Sequence, residues 1–123
     1  MIVGIGIDLV RQARVARMLE RFGERLLSRV LTARERAALH GPPALFVAAR
    51  LAAKEAAFKA LGTGWAAGVS WGRAEVLNLP SGAPELRLNG AARARMEALG
   101  GRRTHVSLTH TREHAAAVVV IES

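Results

Sequence analysis

The chain has 123 residues, of which 50% are apolar and 23% charged, the composition of one globular domain rather than of a disordered segment. It contains no cysteine, which excludes disulfides, thiolate metal sites and cysteine nucleophiles. The formal net charge of +8 calls for an acidic partner: nucleic acid, anionic lipid, a phosphorylated substrate or an acidic protein.

The opening "MIVGIGIDLV" is β-branched and glycine-bearing and predicts a buried strand over about 2–8. It has no basic n-region and carries an aspartate, so it does not read as a signal peptide, and no apolar run approaches the roughly 18 residues that span a bilayer. A soluble cytoplasmic protein without a membrane segment is expected. Val15, Leu19 and Phe22 then recur at helical spacing beside Arg14, Arg17 and Arg21, up to a stop near Gly23. Thr32 and Glu35 in "TARE" form a capping box for a short helix that ends before Gly41-Pro42-Pro43.

A long helix is predicted over 43–61, stopped by Gly62. Val47, Leu51, Phe58 and Leu61 form one apolar stripe, and Ala49, Ala52, Ala53, Ala56 and Ala60 cover the opposite side. A helix apolar on two sides is buried on two sides, and the alanines let another backbone come close. Arg50 and Lys54 lie in or beside the stripe, while Glu55 and Lys59 sit past its other margin. "RAEVLNL" and "ELRLN" around "PSGAP" predict a hairpin, Asn89 a capped helix over "GAARARMEAL", and "THVSLTHT" and "AAAVVVIES" two final strands joined by a turn at 112–114. The fold class is α+β, a single domain over 1–123 with an antiparallel-rich sheet packed on the long helix.

Two rare residue types stand out. Asp8 is the only aspartate, and Lys54 and Lys59 are the only lysines among eighteen basic residues. Lysine offers a compact charge on a flexible stem, suited to a phosphate oxygen or to proton transfer. Asp8 reads either as a helix N-cap or as half of a carboxylate pair with Glu55, since magnesium takes one or two carboxylates and completes its shell with water and phosphate. Glu55 and Lys59 read alternatively as an ordinary i,i+4 pair. His105, Ser107 and Thr109 share one face of the penultimate strand, and Val106, Leu108 and His110 the other.

Taken together, "GIGIDLV", "LTARE", "RLAAKEAAFKALGTG" and "HVSLTHT" resemble the holo-acyl-carrier-protein synthases, small bacterial 4′-phosphopantetheinyl transferases, over almost the whole chain. The resemblance implies transfer of 4′-phosphopantetheine from coenzyme A to a serine of apo acyl carrier protein. It further implies magnesium dependence, release of adenosine 3′,5′-bisphosphate, and homotrimers with active sites shared between subunits. By the same resemblance, Asp8 and Glu55 bind the metal and Lys59 lies near the pyrophosphate. Arg50, Lys54, Gly62, Thr63 and Gly64 line the coenzyme A pocket, His105 and His110 face the nucleotide from the adjacent subunit, and Arg14 and Arg21 dock the carrier protein. The base for the serine proton is open between Glu55 and a water on the metal. Arg11, Leu51 and Phe58 depart from the family pattern, where an acidic residue, an aromatic and a serine are usual. The rival reading is a non-catalytic nucleic-acid-binding protein. It accounts for the arginines but not for the clustered lysines or the lone aspartate, and only five aromatics with no tyrosine weigh against base stacking.

Overall fold

The computed structural model describes residues 1–64 and 70–123. Its elements are β1 (Ile2–Arg11), α1 (Gln12–Phe22), α2 (Glu24–Val30), α3 (Ala33–Ala37), α4 (Pro43–Leu61), a 3-10 turn (Trp71–Arg73), β2 (Ala74–Asn78), β3 (Pro84–Leu88), α5 (Gly90–Ala98), β4 (Arg103–His110) and β5 (His114–Glu122). The α+β class holds. β1, β5 and β4 make an antiparallel sheet in the order β1-β5-β4, and β2 and β3 form a separate hairpin tied to β4 where the Thr104 hydroxyl donates to the Leu86 carbonyl at 2.7 Å.

The long helix has its predicted bounds. Pro43 opens it, where a missing N–H costs nothing, and Gly62, at φ 73°, closes it. It lies across the inner face of the sheet, where Ala115, Ala117, Val119 and Ile121 of β5 are all buried with Val47, Ala52, Ala53 and Ala56. The alanine side takes β1 at backbone distance. A Cβ on Gly4 would fall 2.3 Å from the Ala60 carbonyl oxygen, and one on Gly6 would fall 1.9 Å from that of Ala56. Glycine is required at both positions because a main chain, not a movable side chain, occupies the space.

β1 differs from its prediction in two ways. It runs three residues beyond Asp8 to Arg11, so Asp8 is not the cap of the following helix; Arg11 holds that position, without a side-chain cap bond. Nor is the strand buried on both faces: Gly4, Gly6, Asp8 and Val10 point at α4, while Ile5, Ile7 and Leu9 are 64–67% exposed. The α2 helix, which buries only Leu26 and Val30, is not among the predicted elements. Asn89 stands at the N-cap of α5, but its side-chain amide donates to the Gly72 carbonyl at 3.2 Å instead of accepting from the helix. The capping box at Thr32 and Glu35 forms as expected.

Candidate active site

The close approach of β1 to α4 puts Asp8 against the helix margin that carries Glu55 and Lys59. Lys59 Nζ donates to Asp8 Oδ1 at 3.0 Å and to the Ile7 carbonyl at 3.0 Å. Lys59 therefore pairs across the interface, with Asp8, rather than simply back along its own helix with Glu55. The Asp8 side chain is 11% exposed, and its second oxygen, Oδ2, is buried without a hydrogen-bond partner. Burial and then the neighbouring Asp8 push the Glu55 carboxyl up to about 7, while Arg14 and Lys59 pull the other way. Two carboxylates this close repel when both are ionised.

An unpartnered, buried carboxylate oxygen beside a second carboxyl is a donor set that fits one divalent cation. Among the described residues no cluster of three or more acidic, histidine or cysteine side chains occurs. Were a divalent cation held by these two carboxyl groups alone, water and phosphate would have to fill its remaining positions, as magnesium allows.

Glu55 also borders a cavity of about 610 Å³ between α1, α2 and α4, with Met18, Phe22, Leu51 and Trp71 in its walls and Arg14, Arg25 and Arg29 among its lining residues. Arg21 lies on the same helix as Arg14, its guanidinium 5.3 Å from the Phe22 ring centre. Beyond α4, Gly62, Thr63 and Gly64 make a turn in which both glycines have positive φ, and a Cβ on Gly64 would meet nothing within 4 Å.

The expected coenzyme A residues do not fall together. Arg50 is buried, stacked 4.1 Å from the Phe46 ring centre, and its Nε has no partner. It borders a second cavity, of about 400 Å³, with His40, Phe46, Asn78 and His110. His110 thus shares a cavity with Arg50 of its own chain. His105 points the other way: it is 57% exposed on the outer sheet face and hydrogen-bonded to Glu122 at 3.0 Å. Lys54 is the clearest departure. Its side chain is 0% exposed and lines neither cavity, because its ammonium is taken up by Glu35 and two carbonyls. Its position in the apolar stripe was the available cue. His40 and Asn78 carried no signal in the sequence, because only the folded hairpin brings Asn78 to α4.

In this α+β chain a strand-borne aspartate, a helix-borne glutamate and a lysine thus meet at one centre. Residues 4–119 match the family model of the 4′-phosphopantetheinyl transferase superfamily. The chain is 53% identical over its full length, and over the full length of the relative, to a holo-[acyl-carrier-protein] synthase of Nitratidesulfovibrio vulgaris Hildenborough. It is 56% identical to that of Methylobacterium sp. strain 4-46, covering 100% of this chain and 96% of the relative. Among solved structures, the holo-[acyl-carrier-protein] synthase of Neisseria meningitidis superposes with a TM-score of 0.91 at 34% identity over the whole of both chains. The Bacillus anthracis enzyme in complex with coenzyme A (3′,5′-ADP) superposes with a TM-score of 0.82 at 39% identity, covering 100% of this chain and 98% of that one. The chain belongs to the 4′-phosphopantetheinyl transferase superfamily, as an enzyme of its holo-[acyl-carrier-protein] synthase family. These likenesses do not favour the nucleic-acid-binding reading.

Proposed function

We propose that the protein transfers 4′-phosphopantetheine from coenzyme A to a serine hydroxyl of an apo acyl carrier protein, releasing adenosine 3′,5′-bisphosphate. The observation that carries this reading is the convergence, in a chain of this family, of the unpartnered Asp8 Oδ2, the Glu55 carboxyl and the Lys59 ammonium. The serine hydroxyl gives its proton to Glu55 or to a water as its oxygen bonds to the phosphorus that bears the pantetheine, and the bond from that phosphorus to the bridging oxygen breaks. Negative charge grows on the departing phosphate. Lys59 is 58% exposed and uses two of its three donors inside the protein, so one remains for that charge. Asp8 and Glu55 would hold the magnesium ion, whose charge offsets that of the two phosphates when it is bound. Arg14 beside the cavity at Glu55 and Arg21 on the same helix would receive the acidic carrier protein.

The nucleotide end is assigned to the Arg50 cavity, where an unpartnered buried guanidinium N–H awaits an anion. Residues 50 and 55 are about 140° apart around an α-helix. A single coenzyme A is therefore best served by two copies, one giving Arg50 and His110 and the other Asp8, Glu55, Lys59 and the 62–64 turn. The outer sheet face, with Ile5, Ile7 and Leu9 mostly exposed beside Val118 and Val120 in register, is an apolar surface for copies to meet. This supports an assembly with shared sites, which the family resemblance makes a homotrimer. No helix of the described residues is long and apolar enough to cross a membrane, in keeping with a cytoplasmic role in fatty-acid synthesis.

The test is incubation with coenzyme A, magnesium and apo carrier protein, followed by intact-mass measurement. One added phosphopantetheine per carrier is the expected result. A well-folded protein that modifies none of several carriers would contradict the reading.

A further inference from the structure

The transfer reading leaves no task for Lys54, yet Lys54 and Glu35 are both 0% exposed. The Lys54 ammonium donates to Glu35 Oε1 at 2.6 Å, to the Val30 carbonyl at 2.7 Å and to the Trp71 carbonyl at 3.1 Å. Glu35 is in turn held by the amide of Thr32 at 2.9 Å and by that of Val76 at 3.0 Å. One ion pair thus joins the end of α2, the start of α3, the 3-10 turn, β2 and α4.

Val30 and Trp71 are not arbitrary anchors. Both line the 610 Å³ cavity, together with Leu51 and Glu55 of α4. Lys54 precedes Glu55 directly, so the turn of helix that presents Glu55 to the cavity is the turn whose lysine grips the opposite walls.

We propose that Lys54 is a positioning residue: by binding the Val30 and Trp71 main chains at once, it fixes the walls of the cavity relative to Glu55. The proposal rests on the reading of Asp8, Glu55 and Lys59 as the transfer centre. The residue type fits the task. Three donors diverging from one nitrogen reach three acceptors in different directions, which the planar fork of arginine does not. A buried pair contributes little net stability over an apolar replacement, so stability alone does not account for it. Placement does, because a displacement of about 1 Å in a site of this kind costs on the order of 10² in rate.

The experiment compares wild type with the charge-balanced double variant Lys54→Met, Glu35→Gln, which removes the cation without stranding a buried carboxylate. Both are made also in a Trp65→Phe background, where Trp71 is the only tryptophan of the two in the chain. Transfer kinetics, circular dichroism and Trp71 fluorescence are read on each. The expected result is a folded variant with kcat lower by about 10–100-fold, KM for coenzyme A within about threefold, and Trp71 emission shifted to the red and more open to acrylamide. Wild-type kcat in the folded variant would overturn the proposal. So would a raised KM at unchanged kcat, which would put Lys54 on coenzyme A directly. Should wild type itself transfer nothing, the transfer reading fails, while the fluorescence still reports whether Lys54 holds Trp71. Should the variant unfold, hydrogen exchange on wild type decides. Leu31 and Arg73 amides as slow as the centre of α4 support the proposal, and amides as fast as open chain overturn it.

Discussion

Lys59 Nζ on α4 lies 3.0 Å from Asp8 Oδ1 on β1, with the lysine end 58% exposed and the aspartate end 11% exposed. The gradient matters. A partly exposed pair of this kind contributes modestly to stability; what it does is set an exposed ammonium against a carboxylate whose other oxygen is buried without a hydrogen-bond partner. The pair exists because β1 touches α4 through two glycines.

Gly6→Ala tests that dependence. A Cβ there would sit 1.9 Å from the Ala56 carbonyl oxygen and 2.8 Å from the Ala60 amide nitrogen, so the strand must back away from the helix. Overpacking of this kind costs about 1–3 kcal/mol. The expected outcome is a lowered Tm together with a fall in kcat, measured below the new Tm, because Asp8 moves with the strand. A variant with wild-type kcat would show that the spacing between β1 and α4 is not critical.

The Glu55 carboxyl is raised from its ordinary 4.5 to about 7 in the folded chain. Between those two pH values the folded state binds a proton that the unfolded state has released, so this group makes stability fall as pH rises from 4.5 through 7. Metal-free wild type should therefore lose stability across that window more steeply than Glu55→Gln, as read from thermal melts. If Asp8 and Glu55 hold a divalent cation as proposed, it would compete with that proton and should stabilise wild type more at pH 8 than at pH 5.5. Equal slopes in the two proteins would contradict the environment assigned to Glu55.

Arg14 and Arg21 predict a salt-sensitive encounter with an acidic carrier protein, since charges on an open surface are screened beyond about 8 Å at physiological ionic strength. KM for the carrier should rise with salt, and Arg21→Glu should raise KM and flatten that dependence. Arg21 is the cleaner position, because Arg14 also acts on the Glu55 carboxyl. A KM unchanged by salt or by Arg21→Glu would remove this helix from the docking surface.

Much of this was legible in the chain. The bounds of α4, its glycine stop, the Thr32–Glu35 capping box and the two hairpins follow from local patterns of spacing and turn residues. The alanine side of α4 announced a close neighbour, and the alternating Gly4 and Gly6 are its complement. Other features depend on tertiary context. The seven-residue α2 buries only Leu26 and Val30, one helical repeat, too little to stand out. The apolar residues of β1 do not say which face meets the core, because an exposed apolar face and a buried one are written alike. Spacing could not bring Asp8 to Glu55; the family resemblance implied that meeting, and the chain's own glycines explain it. Charge type misled at Lys54, where the apolar surroundings of its stripe were the better guide.

The most direct check of the proposed centre is the rate of phosphopantetheine transfer by Asp8→Asn and Glu55→Gln, each shown to be folded, beside wild type at saturating coenzyme A and magnesium. The account predicts that each loses on the order of 10²–10³ in kcat, since each removes one carboxylate from the phosphoryl-transfer centre. Wild-type turnover in either folded variant would contradict it.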